Sequence, residues 1–264
     1  MNKALGDRRM LFKLIACNVF LREAYGCIAQ SPHIIDAEFT EVGEHVHSAT
    51  LRASLQARID AADDNARNYD AILLLYGLCG NATAGLQART KRVIIPRAHD
   101  CCAILLGSRE RFREHFSDDP STPFGSAGYL ERGNYFMRVE GGDCTLLYGD
   151  AYASYVEQYG EEAARYIWDS LHPPAATSAP ARAVFIDLPQ TAHLGHAQTF
   201  RAQAEAEGKA YVHLDGDIRL IRALMWGEWN PEEFLIVEPG QRIAGVYDWN
   251  EIMRAEDGIS SAEA

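Results

Sequence analysis

Residues 69–83, Tyr-Asp-Ala-Ile-Leu-Leu-Leu-Tyr-Gly-Leu-Cys-Gly-Asn-Ala-Thr, constrain this chain more than any other stretch. The first half is an apolar run of strand length, and the second is a turn in which Gly77 and Gly80 bracket Cys79. That order predicts a buried parallel strand that delivers a thiol at its carboxyl end. Two further runs end the same way. Residues 11–16 lead into Cys17, and Val93-Ile94-Ile95-Pro96 leads through Arg97-Ala98-His99-Asp100 into Cys101 and Cys102. In an open parallel sheet, ligands bind beyond the carboxyl ends of the strands, so the three thiol positions are expected to converge there.

The runs between these strands have helical periodicity. Phe20, Ala24 and Ile28 share one face over 19–29, and Leu51, Leu55 and Ile59 share one over 50–68. With strands at 34–39, 71–76 and 92–96, and a loop and short helix before the last of them, the chain has a β-α-β-α-β-α-β rhythm, which implies right-handed crossovers and a parallel sheet. The expected fold is α/β, an open, mostly parallel, Rossmann-like sheet. A long helix is expected over 102–116, an irregular segment after it, a helix over 151–171 and a Pro/Ala-rich linker over 172–180. The rhythm resumes with strands at 183–187, 210–214 and 233–237, the last of the chain, and helices at 196–207 and 217–224. The reading is one α/β domain over 11–254, or two α/β halves at 11–116 and 183–248 joined by 117–182. A loose leader (1–10) and a frayed tail (255–264) flank it.

At 264 residues and 47% hydrophobic residues, the chain can bury a sizeable core. A net charge of −12 without a basic cluster argues against nucleic acid and against an anionic membrane surface. No apolar run reaches the roughly 18 residues of a membrane span, and Lys13 interrupts the N-terminal run that a signal peptide would need. A cytoplasmic protein that takes a small-molecule substrate or a protein partner is expected. Its six cysteines (17, 27, 79, 101, 102 and 144) then read as buried hydrophobes, metal ligands or reactive thiols, not as a disulfide framework.

Soft thiols at strand ends beside a histidine suit zinc, or alternatively an iron–sulfur cluster, with Cys17, Cys79, Cys101 and His99 as ligands. The competing reading is that these cysteines are small buried residues, as free cysteine often is. Packing is the favoured reading for Cys27 and Cys144. His99, Asp100 and Arg97 are the candidate catalytic residues. His99 would act as ligand or base, Asp100 as its carboxylate partner or as the N-cap of the next helix, and Arg97 as a clamp for an anionic substrate or a surface ion pair. Gly77, Gly80 and Asn81 would let the backbone approach a cofactor, although the loop lacks a P-loop lysine and dinucleotide spacing. Asp215-Gly216-Asp217 reads as helix capping or a carboxylate pair. The indoles of Trp226 and Trp229 would plug the end of the sheet or close over a ligand.

Leu14-Ile15-Ala16-Cys17, Tyr76-Gly77-Leu78-Cys79-Gly80-Asn81, and Ile95-Pro96-Arg97-Ala98-His99-Asp100-Cys101 with Leu106-Gly107-Ser108-Arg109-Glu110-Arg111 resemble recurring blocks of domain-of-unknown-function family 1638. Asp215-Gly216-Asp217 and Glu238-Pro239-Gly240 extend the resemblance, which runs from Met10 to about Asp248. The doubled Cys101-Cys102 departs from the single cysteine of its block, which leaves open which of the two thiols acts. Members of that family often lie beside corrinoid proteins, trimethylamine-type methyltransferases and corrinoid-reactivating proteins. The resemblance therefore implies a role in corrinoid-dependent one-carbon transfer, and together with the thiol set it makes a zinc-dependent enzyme or accessory enzyme of methyl transfer the leading expectation. The alternatives are an iron–sulfur redox or reactivation partner of a corrinoid protein, and a non-catalytic small-molecule binding module.

Overall fold

The structure is a computed structural model that describes residues 8–41, 48–119, 122–132, 182–246 and 251–258, together with 156, 161, 165 and 248. Strand β1 (Leu11–Cys17) pairs in parallel with β2 (Ile34–Thr40) on one side and with β3 (Ala71–Leu75) on the other. Strand β4 (Val93–Pro96) continues the parallel sheet beyond β3, and the chain reaches it through a series of turns in place of the short helix expected there. All of β3 and β4 is buried, as expected for strands covered on both faces. Helix α1 (Leu21–Gln30) follows a short 3-10 turn at Asn18–Phe20. Helix α2 (Ser48–Asp63) buries Leu51, Leu55 and Ile59, the stripe its periodicity predicts.

The helix expected over 102–116 is two helices, α3 (Cys101–Leu106) and α4 (Arg109–Phe116). Gly107, at φ 78°, ends the first, and the Ser108 hydroxyl accepts the Arg111 amide at 3.1 Å to start the second. A glycine C-cap followed at once by a serine N-cap breaks the helix without breaking its apolar stripe, because Ile104, Leu105, Phe112 and Phe116 are all buried.

A second sheet holds β5 (Phe124–Gly125), β6 (Arg182–Asp187) and β7 (Ala210–Asp215), all parallel and in chain order. Helix α5 (Ala127–Arg132) follows β5, and α6 (His196–Ala206) lies between β6 and β7. Helix α7 (Arg219–Trp226) then returns to the first sheet, where β8 (Phe234–Val237) pairs antiparallel with β4. The second sheet is thus inserted within the first unit, and the stretch 183–248 is shared between the two. The strand at 233–237 is not the last. β9 (Gln241–Gly245) and β10 (Met253–Asp257) form an antiparallel pair, so residues 255–257, expected to fray, are hydrogen-bonded. Of the helix expected over 151–171, only Val156, Glu161 and Arg165 are described, and all three are helical. Residues 1–7, the linker at 172–180 and Cys144 lie outside the described residues.

The first sheet has the order β2-β1-β3-β4-β8. Its parallel part is the 2-1-3-4 order of flavodoxin-like sheets, whose strand order reverses between β1 and β3. The chain is therefore an open α/β fold, and its ligand crevice is predicted at the carboxyl ends of β1 and β3. Cys17 is the last residue of β1, and Cys79 lies four residues beyond β3.

Candidate functional site

Beyond β3 the backbone takes a shape that few sequences allow. Cys79, Gly80 and Asn81 are all left-handed, at φ 48°, 59° and 64°. Only glycine adopts that conformation freely, so holding a cysteine there costs on the order of 1–2 kcal/mol. Several contacts hold the loop. The Leu78 amide donates to the Ala98 carbonyl and the Cys79 amide to the His99 carbonyl, each at 2.8 Å. The Thr83 hydroxyl donates to the Gly77 carbonyl at 3.0 Å. From α2, the Ser48 hydroxyl donates to the Gly80 carbonyl at 3.1 Å and Arg52 to the Asn81 carbonyl at 2.6 Å. The loops after β3 and β4 are thus laced together. Gly77 is required for that closeness. A Cβ there would lie 2.7 Å from both the Asp100 Cα and amide nitrogen, and 2.8 Å from the Ala98 carbonyl oxygen. The close approach expected of Gly77 is made to protein backbone. The Asn81 side chain faces Gly245 of β9.

The lacing gathers the acidic groups. Asp100 is the N-cap of α3 and accepts the Ala103 amide at 3.2 Å. Burial raises its carboxyl to about 6, against the lowering effect of the amides of Ala103 and Cys102. Cys79 and Cys101 are both pushed up, first by burial and then by the Asp100 charge, and each also feels Cys17; Cys101 feels Cys79 as well. Cys17, Cys79, Asp100 and Cys101 therefore share one electrostatic neighbourhood. The second sheet adds a residue to it that the sequence reading did not single out: the Tyr129 hydroxyl, on α5, lies 2.5 Å from the Cys101 sulfur. On the flank, the hydroxyls of Thr40 and Tyr76 share a short hydrogen bond, and the Asn18 amide donates to Glu41 at 2.7 Å.

The other expected residues lie elsewhere. The His99 ring packs on Phe112 of α4, with ring centroids 5.4 Å apart, and its pKa is lowered by burial and by Arg109, not by the thiols. Arg97 donates to the carbonyls of Pro231 at 2.9 Å, of Glu251 at 3.2 Å and of Met253, so it ties the C-terminal strands to β4. Cys102 is fully buried in the core. Cys27 is buried in α1 and is raised to about 11 by desolvation and by Glu23. Asp217 accepts the Arg219 amide at 2.8 Å from just ahead of α7, whose N-cap is Ile218, without a side-chain cap. Trp229 donates to the Leu224 carbonyl at 2.8 Å and packs on Phe12 in the first half of β1, away from the strand's carboxyl end.

Among the described residues, no group of three or more His, Cys, Asp or Glu side chains is placed to hold a metal ion. The five described cysteines form no disulfide. Burial raises the Cys79 and Cys101 thiols, so a metal bound there would have to displace their protons. As they stand, the donors form no ready-made zinc or iron–sulfur cage. What they do form is a desolvated cluster of thiols with one carboxyl, that of Asp100, which burial raises to about 6.

This is an α/β protein with a largely parallel five-stranded sheet and a parallel three-stranded sheet, and with thiols gathered near the point where strand order reverses. It belongs to the family described as protein of unknown function (DUF1638), whose model matches residues 39–225. The matched span holds Cys79, Asp100, Cys101 and Tyr129, and leaves out Cys17 and the 238–240 block. No curated protein and no solved structure matches the chain. No helix among the described residues is long and apolar enough to cross a membrane.

Proposed function

We propose that the protein binds a small molecule in the crevice beyond β1 and β3, and that it serves corrinoid-dependent one-carbon transfer as an enzyme or accessory enzyme. One observation carries the site: the strained Cys79–Gly80–Asn81 turn, the end of β1 and the Cys101 sulfur meet where strand order reverses. A protein spends strain of this kind where the geometry of one side chain matters. The crevice offers neutral sulfur donors, a phenol and a carboxyl that exchanges its proton near neutrality, a set suited to holding an uncharged or soft electrophilic group. The corrinoid connection is supported by the genomic company of the family alone.

Anaerobic purification followed by metal analysis, an absorption spectrum and titration with hydroxocobalamin and methylcobalamin tests the proposal. Wild type and Cys27→Ser should bind a corrinoid, and Cys79→Ser should not. Stoichiometric zinc lost only in Cys79→Ser would favour the zinc-dependent enzyme, and a brown protein would favour the iron–sulfur partner. If Cys79→Ser matches wild type in metal content, spectrum and corrinoid binding, the site is wrong.

A further inference from the structure

Beyond β4, on the side of β8, a hollow of about 100 Å³ opens at the start of α4. Arg97, Ser108, Arg109, Asn230 and Glu232 line it. A wider and more open hollow of about 390 Å³ shares Arg97, Arg109 and Glu232 and adds Asp248 and Glu251. The Arg97 amide donates to the Glu233 carbonyl at 2.7 Å, so the loop after β4 and the loop before β8 are tied together as adjoining walls. None of Cys17, Cys79, Asp100, Cys101 and Tyr129 lines either hollow. A concave place with a few convergent polar groups is the usual form of a small-molecule site.

A chain with a net charge of −12 thus places two arginines in one hollow. Arg97 is lowered first by burial and then, against the charge of Glu251, by Arg109. Arg109 also lowers His99, after burial. Arg97 forms no salt bridge among the described residues, because its guanidinium donates to the carbonyls of Pro231, Glu251 and Met253. Those bonds fix the group without neutralising it, and partial burial leaves its charge less screened than in water. The acids that line only the inner hollow are engaged locally. Glu233 pairs with Arg219, and the Glu110 carboxyl is lowered first by its own amide and then, against burial, by the Ser108 hydroxyl. The carboxylates of Glu232, Asp248 and Glu251 gather at the outer hollow. Both signs of charge are therefore on offer, with the guanidinium groups reaching further in than Asp248 and Glu251 do.

We propose that the two hollows together bind a small zwitterion of the α-amino-acid kind, with its carboxylate toward Arg97 and Arg109 and its protonated amine toward Glu232, Asp248 and Glu251. The inference goes beyond the crevice reading and does not rest on it. Arg109 supplies forked N–H donors to the carboxylate, and Arg97 adds charge from a fixed position. Asn230 Oδ1 accepts the Glu232 amide at 3.1 Å, which leaves the side-chain NH2 group of Asn230 as a further donor. An acid alone meets the outer carboxylates as repulsion, and an amine alone meets the two guanidinium groups, so neither half should bind as well as the whole.

Calorimetric titration of the full chain with glycine, against sodium acetate and methylammonium chloride at constant ionic strength, tests the assignment. Saturable binding of glycine is expected, at least fivefold tighter than that of acetate, with none for methylammonium. Arg109→Gln should weaken it at least tenfold and Glu232→Gln severalfold. Arg113→Gln, a charge change of the same size on α4 but outside both hollows, should match wild type. Circular dichroism should show the variants folded, and Glu232 is exposed, so Glu232→Gln carries the test if Arg109→Gln does not fold. Acetate or methylammonium bound as tightly as glycine, glycine binding unchanged in Arg109→Gln and Glu232→Gln, or no saturable glycine binding would each overturn the site. Each of these results leaves the crevice reading standing, since corrinoid binding by Cys79→Ser tests that separately.

Discussion

The Tyr129 hydroxyl and the Cys101 sulfur lie 2.5 Å apart, so a residue of the inserted unit touches a thiol of the first. Among the influences on Cys101, burial and the charges of Asp100, Cys79 and Cys17 all raise its pKa, and Tyr129 alone lowers it. Tyr129→Phe should make the thiol harder to ionise. Alkylation of Cys101 by iodoacetamide, followed by mass spectrometry across pH, should slow at every pH, with a stability loss of about 1 kcal/mol. An unchanged rate profile would mean the contact does not tune the thiol.

Gly77 and Gly80 should fail differently. Gly77→Ala forces a methyl group against the backbone of Asp100 and Ala98 and should cost roughly 1–3 kcal/mol in urea unfolding. Gly80→Ala carries the left-handed penalty at φ 59°, about 1 kcal/mol, and should cost less than Gly77→Ala. A Gly77→Ala protein as stable as wild type would show that the two loops are not laced as described.

Burial of Glu23 makes stability depend on pH. Its carboxyl rises from 4.5 to about 7, so the folded protein holds this proton more tightly than the unfolded chain does. The resulting stability is fully present below pH 4.5 and is lost as pH rises through 7. Glu23→Gln lacks that dependence. In amine-free buffer, the stability difference between variant and wild type should move in the variant's favour by roughly 3 kcal/mol between pH 4 and pH 8. A difference that stays constant over that range would show that the group is not buried as a carboxyl.

Arg97 should prove structural. Arg97→Met removes the bonds to the carbonyls of Pro231, Glu251 and Met253 and should cost roughly 1–3 kcal/mol. Hydrogen exchange should speed up in Met253–Asp257 while corrinoid binding persists. Loss of corrinoid binding in a variant that keeps its protection would return Arg97 to the site.

Local pattern was enough for the elements that make the first sheet. The apolar runs at β1, β3 and β4 and the Leu51, Leu55 and Ile59 stripe of α2 are where periodicity puts them, because burial on one face or on both is written into residue spacing. Of the three thiols expected at strand ends, Cys17 ends β1, Cys79 lies four residues beyond β3 and Cys101 opens α3. The Gly107-Ser108 break was also legible as capping chemistry, but the continuous apolar stripe masked it.

Tertiary structure decided the rest. The partner of β8, the β9–β10 pair and the insertion of the second sheet depend on contacts between residues far apart in sequence, which no local period encodes. Side-chain direction decided the site. His99, Asp100 and Cys101 are consecutive, yet the backbone turning into α3 sends the imidazole to Phe112 and keeps the carboxyl and thiol with Cys79. Tyr129 carried no signal of its own. It matters only because Gly128 lets α5 come down on the 3-10 turn that follows β1, a contact set by the absence of one Cβ.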